Sequence, residues 1–185
     1  MIHPEKTAKD TQQTTTSSSF VAGVVMDEQY PIHLDEVVTL DELMCTADYD
    51  SCIADVDELE RIFAKDPRTQ DVVLEPICFE SACTLERMLE EMASKGYRPA
   101  TLRELLGVGA QHPELQRRKV LVALGSINNE AYIHSSSTEW SLNTVTHIPV
   151  LADVLGERMF ILGEYDGKYR PGYYFLCVKI PKNGV

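Results

Sequence analysis

The chain has 185 residues and a mass of 20.8 kDa, with 44% hydrophobic and 25% charged residues. That is the composition of a folded globular protein and excludes collagen-like, coiled-coil and wholly disordered readings. A chain of this size buries about 70% of its unfolded surface, so it needs neither a metal nor disulfides to fold.

The net charge of −12 lies entirely in the first third: residues 1–60 hold 14 Asp and Glu against 2 Lys and Arg, whereas residues 61–185 hold 15 of each. Such an acidic chain repels phosphate backbones, and the one tight basic cluster, Arg117, Arg118 and Lys119, is too small to reverse this. No nucleic-acid partner is expected. No apolar run reaches about 18 residues, so no membrane span is expected. Met1 to Phe20 is polar and lacks the pattern of a secretory signal, which predicts a cytoplasmic protein. The five cysteines form no C-x-x-C pair and match no zinc spacing, and are read as reduced thiols of a reducing compartment.

Residues 1–19, with the run TQQTTTSSS, carry too little apolar surface to offset the entropy of ordering, which predicts a flexible tail. Residues 20–69 read as an acidic, partly helical extension. Short apolar groups over 20–38 suggest a strand or two. Thr39-Leu-Asp-Glu42 is a capping box opening a short helix, and Val56, Leu59, Ile62 and Phe63 mark one stripe of a helix over 55–65.

Residues 70–185 read as the main domain. Val72 to Phe79 is a β-rich run broken by Pro76, the pattern of an edge or bulged strand. Leu85, Met88, Leu89 and Met92 fall at helical spacing and Gly96 supplies the stop. Thr101-Leu-Arg-Glu104 is a second capping box, and Leu102, Leu105, Leu106 and Gly109 follow on one face. Val120–Leu124, His147–Leu151, Arg158–Leu162 and Tyr173–Ile180 read as strands, with a Ser-, Thr- and Asn-rich stretch over 126–146. The order predicts an α+β fold of two layers, both helices covering an antiparallel sheet.

The order and several segments resemble the C-type lectin fold, in which the first and last strands pair. Gly96-Tyr-Arg-Pro-Ala-Thr-Leu-Arg-Glu-Leu-Leu106 is similar to the helix-opening segment of its formylglycine-generating-enzyme branch, with proline and threonine separated by Ala100. Tyr174-Phe-Leu-Cys-Val-Lys179 is similar to that branch's terminal strand. YRPATLRELL, HPELQ, VALGS and YYFLCVK together resemble variable proteins of diversity-generating retroelements, over about residues 70–185.

The resemblance implies a non-enzymatic recognition protein that displays hypervariable residues on this scaffold. Adenine mutagenesis of AAC or AAT codons yields Asn, Ser, Tyr, Asp, His, Thr, Arg and Gly, but never Lys, Glu, Gln, Met or Trp. The candidate ligand-binding residues drawn from this palette are Asn128, Asn129, Tyr132, His134, Ser136, Asn143, His147, Asp166, Tyr169, Arg170 and Tyr173. Glu130, Glu139, Trp140 and Lys168 would then be fixed scaffold. Tyr132, Tyr169 and Tyr173 would be the anchors, since tyrosine offers a large amphipathic surface for little side-chain entropy. The ligand implied is a protein surface.

Two rivals stand beside this reading. One is an enzyme of the formylglycine-generating lineage, for which Cys177 is the available thiol in the C-terminal part of the fold. The other is an acidic decoy presenting residues 1–60 to a basic partner. No catalytic residue, cofactor or metal site is expected: the five histidines lack zinc-protease spacing, nucleotide-binding glycine patterns are missing, and the lectin calcium motifs are missing too.

Overall fold

The computed structural model describes residues 23–35, 37–54, 56–66, 71–136, 139–165, 169 and 171–181, with the backbone alone described for 56 and 128–145. The tail expected at 1–19 lies outside the described residues. The elements in chain order are β1 (Gly23–Val25), β2 (Tyr30–His33), α1 (Leu40–Ala47), β3 (Ser51–Ile53), α2 (Val56–Lys65), β4 (Asp71–Phe79), α3 (Leu85–Ser94), β5 (Tyr97–Pro99), α4 (Leu102–Gln111), α5 (Pro113–Gln116), β6 (Val120–Val122), β7 (Asn128–Ser136), β8 (Glu139–Val154), β9 (Glu157–Glu164) and β10 (Tyr173–Lys179).

All ten strands belong to one sheet with the path β1-β4-β10-β6-β8-β9-β3, to which β2 adds on β4, β5 on β10 and β7 on β8. The fold is mixed α+β, as the element order predicted. The strand at Val72–Phe79 does pair with the C-terminal strand, antiparallel from Tyr174 opposite Cys78 to Val178 opposite Leu74. The sheet is not purely antiparallel, because β6 runs parallel to β10 and β3 parallel to β9.

Two further expectations change. The helices do not share one face. Leu102, Leu105 and Leu106 of α4 pack with Leu74, Leu121, Leu151, Phe160 and Leu176, while Met88 and Met92 of α3 pack with Ile77, Val122, Ile148 and Phe175. Leu121 and Val122, and Phe175 and Leu176, are sequence neighbours and so lie on opposite faces of their strands. The sheet is therefore the middle of three layers, and its central strands are apolar on both sides.

Nor is β4 an edge strand. It lies between β10 on one side and β1 with β2 on the other. β2 pairs with residues 71–74 and β1 with 77–79, so Pro76, which has no amide to donate, falls where neither strand pairs. Residues 23–66 are not an appendage to this core. β1, β2 and β3 join the same sheet, and Leu40, Leu43, Leu59, Ile62 and Phe63 enter the cluster that α4 builds.

Candidate ligand-binding surface

The stretch rich in Ser, Thr and Asn is a ribbon. β7 pairs with β8 over nine residues, from Asn128 opposite His147 to Ser136 opposite Glu139. β9 joins β8 only from His147 onward and β6 only at Val150 and Leu151, so 128–136 and 139–146 form a two-stranded arm beyond the body of the sheet. At about 3.4 Å per residue the arm is roughly 30 Å long.

Register sorts its residues by face, because directly opposed residues of an antiparallel pair share a side and alternate along each strand. Asn128, Glu130, Tyr132, His134 and Ser136, with Glu139, Ser141, Asn143, Val145 and His147, occupy one face. Asn129, Ala131, Ile133 and Ser135, with Trp140, Leu142, Thr144 and Thr146, occupy the other. Of the seven candidate residues in this segment, all but Asn129 fall on one face. The large apolar residues Ile133, Leu142 and Trp140 fall opposite.

The base of the arm is fixed by polar contacts from distant elements. His147 is buried, and its Nδ1 lies 2.8 Å from Oε1 of Glu58 on α2, also buried. His147 therefore belongs to the root of the arm and not to a displayed surface. Ser126, two residues before the arm, accepts the Leu102 amide at 2.6 Å and donates to Oδ1 of Asp66 at 2.5 Å. The Arg103 amide donates to Oδ2 of the same carboxylate at 3.0 Å, and Thr101 Oγ1 accepts from the Glu104 amide at 3.3 Å. The first three amides of α4, which no helix can satisfy internally, thus each find an acceptor, and one of the three is the residue that launches the arm.

Burial pushes the Asp66 carboxyl above its ordinary range, partly offset by the bonds from Ser126 and the Arg103 amide. A carboxyl raised in the folded state contributes stability at low pH that is lost as pH rises through its folded value. Asp66→Asn deletes the charge but keeps only one of the two acceptor oxygens, so urea unfolding across a pH series is expected to lose that decline, with a pH-independent cost of about 1–3 kcal/mol for the donor left without its partner. An unchanged slope against pH would show that Asp66 is not its source.

The second candidate segment is built differently. Tyr169 is 7% exposed, its ring 4.9 Å from that of Phe175 and 4.7 Å from that of Tyr165, and its amide donates to the Cys83 carbonyl at 3.2 Å. Tyr165 accepts the Leu85 amide, the first of α3, on its hydroxyl at 2.9 Å. Tyr173 is half-buried and meets Tyr169 edge-on at 6.3 Å. Tyr169 is thus a core ring over α3 and does not point outward as an anchor would. No local pattern shows this, since its partners include Cys83, just before α3, and Tyr173 and Phe175 of β10. Asp166, Lys168 and Arg170 lie outside the described residues.

The thiol chemistry is also constrained. Cys177 is fully buried, its Sγ 2.8 Å from the Glu75 carbonyl, and burial pushes its thiol up to about 12. At neutral pH it is a protonated core side chain. Among the described residues no three His, Cys, Asp or Glu side chains gather as metal ligands, and no helix is long and apolar enough to cross a membrane. Comparison with protein-family models, curated proteins and solved structures finds no match to this chain.

Proposed function

We propose that this chain is a non-enzymatic recognition protein with a C-type lectin scaffold, whose β7–β8 arm displays exchangeable residues to a protein ligand in the manner of diversity-generating retroelement variable proteins. The observation that carries the reading is the register of the arm. It gathers Tyr132, His134, Ser136 and Asn143 on one face, with Asn128 next to the buried His147 at its root. Those four residue types all belong to the adenine-derived palette. Glu130 and Glu139, which that process cannot produce, would be fixed members of the same face.

The physical logic is separation of duties. In a two-stranded ribbon one face can change while the backbone ladder and the opposite apolar face stay constant, so new ligand contacts need not cost the fold. Tyrosine supplies area, and Ser, Asn and His supply adaptable hydrogen bonds. The enzymatic alternative needs a reactive thiolate, and the buried Cys177 argues against it.

Exchangeability is testable without knowing the ligand. A combined Tyr132→Ser, His134→Asn, Ser136→Tyr and Asn143→Ser variant is expected to unfold within about 1 kcal/mol of the parent, as surface changes do. Ile133→Ser with Leu142→Ser should cost more. A displayed library restricted to the first four positions should yield binders to added protein targets. A loss above about 2 kcal/mol in the combined variant, or a library with no binders, overturns the reading.

A further inference from the structure

The β7 edge of the arm is unpaired among the described strands: β7 pairs with β8 and with no other strand, and residues 139–145 of β8 pair only with β7, while the Thr146 carbonyl accepts the Tyr165 amide at 2.8 Å. A two-stranded ribbon in water is marginal on its own, and three or more strands are needed for independent stability. Natural edges of this length are guarded by Lys, Pro or a bulge. The sequence of β7, NNEAYIHSS, has neither Lys nor Pro, and its ladder with β8 runs without a break. The root of the arm is pinned, but nothing described covers its free edge.

We infer that this edge pairs with the same edge of a second copy of the chain, antiparallel about a two-fold axis at Tyr132, so that two arms make one four-stranded sheet. The proposal does not depend on the display reading. It rests on how the β7 sequence fits itself. Centred on Tyr132, self-pairing sets Glu130 opposite His134 twice, Ala131 opposite Ile133 twice, Asn128 opposite Ser136 and Asn129 opposite Ser135. The strand's one carboxylate thereby meets its one imidazole.

Other alignments lose this. Parallel pairing in register sets Glu130 against Glu130, and like charges directly opposed are destabilising. Antiparallel centres at Ala131 or Ile133 place Glu130 opposite Tyr132 or Ser136 instead. A slip by one residue pairs the apolar face of one copy with the polar face of the other. In the preferred register both faces are continuous across the two copies: Ala131, Ile133, Leu142 and Trp140 from each on one side, Tyr132, His134 and Asn143 from each on the other. Any ligand held by the polar face would meet it twice, and a repeated ligand would gain avidity.

Sedimentation equilibrium of the full chain tests this, with hydrogen exchange read over residues 128–136. A monomer–dimer equilibrium is expected, with amide protection in β7 that grows with protein concentration. At about pH 6, where an ordinary imidazole is largely protonated, Glu130→Lys should weaken the dimer about tenfold, since it replaces two carboxylate–imidazole pairs by two ammonium–imidazole pairs. Glu130→Lys combined with His134→Glu should restore it, because the swapped charges again face each other. Circular dichroism of each variant confirms the folded state, and if the single variant loses the arm the swapped one carries the test. A chain monomeric at hundred-micromolar concentration, a dimer indifferent to Glu130→Lys, or a swap that fails to restore the dimer would each overturn the proposal.

Discussion

Tyr169→Ala is expected to destabilise the fold by about 3–5 kcal/mol, the usual cost of removing a large buried ring. The ring closes the α3 face of the sheet, packed between Tyr165 and Phe175 and touching the edge of Tyr173. Met88, Met92 and Ile148 belong to the same cluster. Its removal leaves a cavity that the Tyr165 ring can fill only by leaving the hydrogen bond it accepts from the Leu85 amide. Urea unfolding followed by far-ultraviolet circular dichroism measures the loss. The change that separates core from display is the contrast with Tyr132→Ala, which should leave the midpoint nearly unmoved. A Tyr169→Ala protein of parental stability would return Tyr169 to the list of ligand contacts.

Local chemistry made the helices legible and hid the site. The Thr39 and Thr101 capping boxes are both formed as read, with the Glu42 and Glu104 side chains returning to the threonine amides. Gly96 ends α3 with φ of +79°, a conformation open to glycine at no steric cost. These signals span three or four residues, so one sequence carries them whole.

What stayed hidden depends on partners far along the chain. The stretch over 126–146 reads as polar and loop-like because its apolar residues alternate with Ser, Thr and Asn, and only the pairing with 139–147 shows that the alternation is the two sides of a ribbon. His147 reads as a surface residue until Glu58, 89 positions away, is seen beside it. β3 and β5, each three residues long, are too short to show a period at all. The central position of β4 was masked by Pro76, since a proline argues for an edge unless the neighbouring strand is known to break at that point.

Arg98→Met should cost about 3 kcal/mol. The guanidinium meets Glu104 through two charge-assisted bonds, Nη2 to Oε1 at 2.7 Å and Nη1 to Oε2 at 2.9 Å. Glu104 is completely buried, so removal of Arg98 strands a carboxylate in the protein interior, a change that costs 3–5 kcal/mol in general. Arg98 itself is 37% exposed, so water enters where it stood and the loss falls at the lower end of that range. The same carboxylate oxygen Oε2 accepts the Thr101 amide at 2.9 Å and closes the capping box of α4.

Glutamine at 104 keeps that acceptor without the charge, so adding Glu104→Gln to Arg98→Met should recover about half of the loss, or 1.5 kcal/mol. Denaturant midpoints of the two single variants and the double variant measure the coupling directly. A cost under about 1 kcal/mol for Arg98→Met, or no recovery in the double variant, would mean the buried charge is held by other groups. The outcome bears on the proposed recognition role as well as on stability, because the α4 N-terminus that this pair secures is also where Ser126 holds the root of the arm. The proposed exchange of residues on the arm requires that this root stay fixed.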